Sequence, residues 1–192
     1  MNGTPGLLPL LVIAPRAGLA TLGIARPGAG RSSVSLVCED LPRGDRAATA
    51  AITAELARLG RAGLLGLGPG SSLALLAACT SSSVVACALV GGALVLERLS
   101  AERPSQPLEL ALNLGCPLFV FHGMADPEFP PAHVAFARAK LDQFARDATF
   151  ESVEDAGAGW CDPAHPGYRP ESAGRAVERA LAALATAAEQ EP

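Results

Sequence analysis

Apolar residues along the chain form two alternating kinds of pattern. Continuous apolar runs of strand length are separated by longer segments whose apolar residues recur on one helix face. We predict strands over residues 8–14, 33–38, 63–67, 84–90, 117–122 and 149–153. We predict helices over residues 19–25, 46–59, 130–146 and 173–188, and another after the turn at 66–70. Because unbroken apolar strands are buried on both faces, the pattern predicts an α/β fold, a mostly parallel sheet flanked by helices on both faces.

Short polar side chains and glycines mark the predicted helix boundaries. Asp45 is placed to cap the helix over 46–59, and Gly60 follows that helix. Ser71 or Ser72 is expected to cap the helix after the glycine-rich turn. No internal repeat or linker is visible, and residues 100–106 are predicted to form a surface loop. We therefore expect a single domain over residues 1–192.

Composition and charge narrow the class of protein. The formal charge of −4 gives no basic patch for nucleic acid. Mean hydropathy is +0.30, but glycines, a proline and a polar run interrupt the most apolar region, 62–96, which indicates core and not membrane. The N-terminus lacks a basic start and a small-residue cleavage site. None of the five cysteines has zinc-site spacing, so we expect reduced thiols, a cytoplasmic location, and neither metal nor cofactor.

Three segments carry a recognisable order of motifs. GLGPGSSLALLAA at residues 66–78 is a predicted strand, turn and helix, and CPLFVFHGMADPEFP at 116–130 ends a strand in a turn bearing Asp126. EDAGAGWCDPAHPGY follows at 154–168, before the last helix. A turn, a strand-end aspartate and a late loop appear in the order in which α/β-hydrolases place nucleophile, acid and histidine.

In detail these motifs resemble the dienelactone hydrolase family, whose members have a G-x-C-x-G-G elbow, a strand-end aspartate and an AGHGF loop. The resemblance covers roughly residues 8–188, including CEDL at 38–41, and implies a domain shortened at its N-terminal end. It assigns Gly68 to the nucleophile position, Asp126 to the acid and Ala158 to the histidine.

Two of these three positions lack the side chain that the family chemistry needs. Gly68 has no thiol or hydroxyl, and Ala158 cannot accept a proton. The oxyanion hole would use the N–H of the next residue, but that residue is Pro69. Pro15 stands where the family commonly has a glutamate. The residues expected to line the pocket are Pro15, Arg16, Leu67, Pro69 and Trp160.

The resemblance therefore implies a hydrolase-like protein that has lost hydrolytic activity and binds a small molecule or a protein partner. A partner could be a second copy or a family member, in a homo- or hetero-oligomer with a purely structural role.

An alternative is an enzyme using displaced residues. One version is a hydrolase in which Ser71 acts with His165 and Asp126; the other is a lyase, isomerase or cyclase that uses Asp126. Asp126 also stands where it can cap a turn. Against these functional hypotheses, His165 is expected in an exposed loop, His133 on the surface and His122 in the core. Cys161 has no cationic neighbour in sequence that would make it reactive.

Overall fold

The computed structural model describes residues 8–22 and 33–190, and it contains a six-stranded parallel sheet. Its strands lie in the order β2-β1-β3-β4-β5-β6. They are β1 (Leu10–Ala14), β2 (Ser33–Val37), β3 (Ala62–Leu67), β4 (Val84–Val90), β5 (Leu118–Ala125) and β6 (Ala148–Gly157). The α-helices are α1 (Arg16–Leu22), α2 (Asp45–Leu59), α3 (Gly70–Ala78), α4 (Pro131–Gln143) and α5 (Pro170–Gln190). Every predicted strand is present, and the predicted α/β class is confirmed.

Burial on both faces explains why the central strands are unbroken apolar runs. Alternate residues of β1 and β3 face opposite sides: Leu11 and Leu64 pack on the side of α2, α3 and α4, while Val12 and Leu65 pack towards α1 and α5. All of these side chains are completely buried. Truncating any one of them to alanine would cost about 2–5 kcal/mol. Packing on both faces therefore holds the sheet between the two layers of helices.

The last two strands extend beyond their predicted ends. We predicted strands ending at residues 122 and 153, but β5 and β6 remain paired as far as Ala125 and Gly157. β6 is an edge strand whose residues are mostly half-buried or exposed and include Glu151, Glu154 and Asp155, so its sequence lacks a continuous apolar run. The extension matters because it brings Asp126 beside the loop that follows β6.

Several helix boundaries also differ from prediction. α1 and α5 each begin three residues earlier than expected, α5 with Pro170 in its first turn. Residues 23–25 of the first predicted helix lie outside the described residues. α4 ends three residues early, before Ala145, whose φ is +51°. Two 3₁₀ helices, Cys38–Asp40 and Pro107–Asn113, were not predicted, while residues 100–106 form a loop as expected.

The predicted side-chain caps are wrong. Gly44, with φ +85°, occupies the N-cap of α2, and Asp45 is instead the first residue of the helix. Pro69 occupies the N-cap of α3 and no side chain caps that helix. Ser71 and Ser72 donate their hydroxyl protons to backbone carbonyls, because both serines lie inside the first turn of α3 and not before it.

Candidate functional site

The turn between β3 and α3 has the backbone of a nucleophile elbow. Gly68 follows β3 with a φ of +52°, a left-handed conformation that residues with a side chain rarely adopt. Pro69 returns to helical angles, and α3 begins at the next residue. The structure thus places Gly68 at the apex of a strand-turn-helix, the position that the resemblance assigns to the nucleophile.

Glycines on either side of the apex allow the elbow to pack closely. A Cβ on Gly66 would lie 2.7 Å from Cα of Ser71, and one on Gly70 would overlap the carbonyl oxygen of Ile13 in β1. At the end of β4, a Cβ on Gly92 would overlap the carbonyl oxygen of Gly68. Contacts as short as these exclude any side chain, so the backbones of β1, β3 and β4 fix the elbow directly.

The thiol of Cys161, from the loop after β6, lies above Gly68. A Cβ on Gly68 would be 3.8 Å from the Cys161 Sγ, which donates a hydrogen bond to the carbonyl oxygen of Val90 at 3.4 Å. Burial raises the pKa of Cys161 to about 12; the backbone of Gly68 opposes this rise, and the carboxylates of Asp126 and Asp162 add to it. The thiol is therefore protonated at neutral pH and is a poor nucleophile.

A cavity of about 680 Å³ opens beside the elbow, and we call it the Gly68 cavity. Its walls come from the elbow, the loop after β4, the end of β5 and the loop after β6. It is lined by Gly68, Pro69, Ser72, Gly92, Ala93, Val95, Leu96, Glu97, Arg103, Asp126, Pro127, Glu128, Gly159, Trp160, Cys161, Asp162 and His165. Its position, at the carboxyl ends of parallel strands, is where open α/β sheets bind ligands.

Asp126 is both a turn residue and a cavity-lining carboxylate. Its side chain is only 5% exposed, and Oδ1 accepts the backbone N–H of Glu128 at 3.0 Å. Its Oδ2 has no hydrogen-bond partner among residues 8–22 and 33–190. Burial raises the pKa of Asp126, while the Glu128 amide and His165 lower it. The aspartate is thus a buried carboxylate with one oxygen left for a ligand or a proton.

His165 folds back towards the loop position that lacks a histidine. Its Nδ1 accepts the backbone N–H of Gly167 at 2.9 Å, and the ring covers Gly159, whose φ is +64°. A Cβ on Gly159 would overlap the imidazole. His165 is exposed, as predicted, yet it also lines the cavity and interacts electrostatically with Asp126. Two of the three residues in the displaced-hydrolase hypothesis therefore share one site.

Ser71, the proposed displaced nucleophile, does not share that site. It is completely buried, and its hydroxyl donates to the carbonyl oxygens of Gly66 at 3.1 Å and Val90 at 3.4 Å. It is absent from the cavity lining, so no substrate in the cavity can reach it. The neighbouring Ser72 does line the cavity, where its oxygen accepts a hydrogen bond from Nη2 of Arg103 at 2.8 Å.

Sequence reasoning missed Arg103. It lies in the loop before the second 3₁₀ helix and forms an ion pair with Asp45 at 3.3 Å. Together with its bond to Ser72, this pair attaches the loop to the first turns of α2 and α3. Nothing in the spacing of residues 45, 72 and 103 indicates the contact, because only the tertiary fold brings them together.

Three residues expected to line the pocket lie away from it, and so does Ala158, the histidine position. Leu67 is buried in the core facing α5, and Ala158 does not reach the lining. Pro15 is buried where β1 passes into α1, and its carbonyl oxygen accepts the N–H of Leu19 at 3.2 Å. Arg16 pairs with Asp40, and its backbone N–H donates to Glu39 at 3.1 Å. Pro69 and Trp160 do line the cavity.

The remaining polar groups near the site add no metal centre. Trp160 is completely buried, and its Nε1 has no partner within the described part of the chain. His122 is buried against Phe129 outside the cavity, and burial lowers its pKa. His133 is half-buried and outside the cavity too. In residues 8–22 and 33–190, no three histidine, cysteine, aspartate or glutamate side chains are grouped to hold a metal ion.

None of the described helices is both long and apolar enough to cross a bilayer.

Comparison with known proteins gives a family and a fold. The sequence model of the dienelactone hydrolase family matches residues 31–188. A candidate dienelactone hydrolase from Klebsiella pneumoniae subsp. pneumoniae superposes with a TM-score of 0.78 and 18% identity, over 96% of this chain and 89% of that one. No curated protein matches the sequence.

Two esterase structures are also similar. Esterase 2 of Thermogutta terrifontis, solved phosphoramylated by tabun, has a TM-score of 0.68 and 18% identity over 100% of this chain and 88% of its own. The esterase domain of a Rhodothermus marinus protein has a TM-score of 0.63 and 18% identity over 94% and 88%. At these identities the likeness shows the fold alone.

Proposed function

The chain belongs to the dienelactone hydrolase family, and we propose that it binds a small molecule in the Gly68 cavity without hydrolysing it by the family's covalent mechanism. The observation that carries the proposal is the glycine at the apex of the elbow. A covalent intermediate needs a thiol, hydroxyl or similar atom at that apex, and Gly68 has none.

Other requirements of covalent hydrolysis are missing around the same point. Pro69 has no N–H to donate to an oxyanion. The loop after β1 would supply the second donor, but the Arg16 N–H in that loop is already bonded to Glu39. Removing a triad leaves roughly 10³–10⁴-fold catalysis from the oxyanion hole and binding, and losing one donor removes about 10²–10³ of that. The expected residual rate is therefore close to that of the uncatalysed reaction.

The cavity supports binding as the remaining function. Its volume of about 680 Å³ falls within the range of small-molecule sites, roughly 300–1,000 Å³. Partly exposed apolar residues such as Val95 and Leu96 line it together with polar groups. A mixed lining of this kind can hold the carbon skeleton of a ligand and orient its polar end.

Non-covalent acid–base catalysis is a second candidate, because Asp126 and His165 line one cavity and interact electrostatically. The pair could move a proton in a lyase, isomerase or cyclase reaction, which needs no nucleophile. The test is proton–deuterium exchange of carbon-bound hydrogens in a bound carbonyl ligand, followed by NMR in D₂O. Exchange that disappears in both Asp126→Asn and His165→Gln would support this candidate, and exchange equal to the buffer rate would exclude it.

Hydrolysis is tested with activated aryl esters and small lactones. We expect the wild-type protein to stay within about threefold of buffer and of the Ser71→Ala, His165→Ala double variant. Intact-mass spectrometry after treatment with serine- and thiol-directed covalent probes should show no adduct at the elbow. Turnover about a hundredfold or more above buffer would overturn the proposal, whichever residue is responsible.

Binding is tested by ligand-observed NMR with a fragment library and a cavity-filling variant. Ala93 lines the cavity, so Ala93→Trp should abolish the binding of hits. Ala182 is exposed on α5, away from the cavity, and Ala182→Trp should bind the same hits as the wild type. Hits that bind equally well to Ala93→Trp would contradict binding in this cavity.

A further inference from the structure

We propose that the ligand of the Gly68 cavity is an organic cation, a molecule that presents a protonated amine to Asp126. This inference rests on the proposed binding function and names the chemical class of its ligand. The argument comes from the charges that line the cavity and from the partners those charges have.

Carboxylates dominate the ionisable groups of the cavity wall. Glu97, Asp126, Glu128 and Asp162 all line it. None of these four forms an ion pair with another described residue. Like charges around one concave surface focus a negative potential into it, which raises the local concentration of cations.

The cationic side chains of the wall offset this charge only in part, His165 through its electrostatic interaction with Asp126. Arg103 is already paired with Asp45, and its Nη2 donates to the hydroxyl of Ser72. His165 is the other lining side chain able to carry a positive charge, and its Nδ1 is occupied by the Gly167 N–H. An anionic ligand would therefore meet four carboxylates and compete with Asp45 for the one arginine of the lining.

Asp126 differs from the other three carboxylates of the cavity because it is buried. The residue is only 5% exposed, and it forms no ion pair with a described residue, although His165 interacts with it electrostatically. Burying a carboxylate is unfavourable unless it is paired. Only Oδ1 is satisfied by the protein, while Oδ2 has no bond to any described residue. An ammonium group within reach of Oδ2 would donate a charge-assisted hydrogen bond and compensate the burial.

The shape and chemistry of the wall favour an organic cation over a metal ion. Within the described ranges, no group of three or more ligating side chains is arranged to hold a metal. Ala93, Val95 and Leu96, all partly exposed apolar residues, line the same cavity as the carboxylates. Such a wall suits a ligand with one protonated amine and an apolar body, because each part finds its complement.

Three probes of similar size and different charge test the inference: phenethylamine, phenethyl alcohol and hydrocinnamate. Affinities are measured by ligand-observed NMR titration at low ionic strength. We expect the amine to bind at least about tenfold more tightly than the alcohol, and the carboxylate not to bind. Equal or tighter binding of the alcohol or the carboxylate would overturn the inference.

Two matched triple variants separate the cavity charges from the net charge of the protein. The cavity variant is Glu97→Gln, Glu128→Gln, Asp162→Asn. The surface variant is Asp142→Asn, Glu178→Gln, Glu189→Gln, whose residues are exposed and lie outside the cavity. We expect the cavity variant to weaken amine binding roughly tenfold, since each partly exposed carboxylate contributes a modest attraction. The surface variant should bind the amine as the wild type does, and an equal loss in both variants would contradict the inference.

Asp126→Asn tests the buried carboxylate on its own. Asparagine keeps an acceptor for the Glu128 N–H but loses the charge, so amine binding should fall by about tenfold or more while the fold is unchanged. Unchanged amine affinity in a folded Asp126→Asn protein would overturn the role given to Asp126. If the alcohol or the carboxylate binds and Ala93→Trp abolishes that binding, the binding function stands and the organic-cation inference alone fails.

Discussion

The elbow after β3 and the loop after β6 meet at the same cavity, but they differ in what they contribute to it. The elbow has the backbone of a nucleophile turn, with Gly68 in a left-handed conformation and no reactive atom. The loop after β6 has an alanine at the histidine position, yet it brings Cys161, Asp162 and His165 to the cavity wall.

The difference shows that backbone geometry and reactive side chains are separable in this fold. Close contacts of Gly66 and Gly70 with neighbouring backbone fix the elbow whatever side chain its apex has. The late loop is held differently, by its own turns and by hydrogen bonds such as that from the Gly167 N–H to His165. Substitutions in the elbow should therefore lower the stability of the sheet, whereas substitutions in the late loop should change the side chains that line the cavity.

The largest expected effect is at the elbow. Gly70→Ala places a Cβ on the carbonyl oxygen of Ile13, and neither backbone can move without shifting β1. We expect the free energy of unfolding, measured by urea denaturation, to fall by about 2–3 kcal/mol or more. Gly174→Ala is the control, because its Cβ meets open space on α5 and should stabilise the helix by up to about 1 kcal/mol. A loss below about 1 kcal/mol for Gly70→Ala would contradict the rigid elbow.

A smaller effect is expected in the late loop. Gly159→Ala forces a side chain into a left-handed φ and against the His165 ring, which should cost about 1–3 kcal/mol and move the imidazole. Adding His165→Ala removes the overlap with the ring but keeps the His165 Cβ, 2.7 Å from the new Cβ, so it should recover part of the loss. Gly157→Ala, whose Cβ would lie 3.6 Å from the Ala125 carbonyl oxygen, is the matched control in thermal and urea unfolding. If the double variant is no more stable than Gly159→Ala, the ring does not occupy that space.

The smallest effect concerns the thiol between the two regions. The pKa of Cys161 is about 12 in the fold against 9.0 for an ordinary cysteine, so its stability contribution is complete below pH 9 and is lost as pH rises towards 12. Between about pH 8 and about pH 10, Cys161→Ala should lose roughly 1 kcal/mol less unfolding free energy than the wild type. Identical losses in urea titrations of the two proteins would show that Cys161 is not desolvated.

Much of the fold was accessible from the sequence because the central strands are buried on both faces. Val84–Val90 was predicted with its observed limits, since all seven residues are apolar. The ends of β5 and β6 were not, because β6 is an edge strand without a continuous apolar run and the last residues of both strands are defined by their pairing with each other. The local sequence thus determines the limits of the central strands, whereas the limits of the strands near the sheet edge depend on tertiary pairing.

The candidate site was less accessible, for a related reason. Gly68 follows β3, whose end was predicted correctly, and Asp126 was located by its motif although β5 was predicted to end three residues too early. The direction of the Ser71 hydroxyl and the contact of Arg103 with Ser72 depend on packing between distant segments. The sequence showed that Ala158 cannot serve as the catalytic base. That the His165 ring covers Gly159 and lines the cavity became visible only in the structure.

The left-handed φ of Gly68 also determines what a side chain introduced at the apex of the elbow would meet. A mutation to serine or cysteine would incur roughly 1–2 kcal/mol of backbone strain and would place a new group close to the Cys161 sulfur. That group would still lack an amide donor at Pro69 and an imidazole at Ala158. A single substitution at Gly68 would therefore not complete the family's covalent machinery, because positions 69 and 158 would need to change as well.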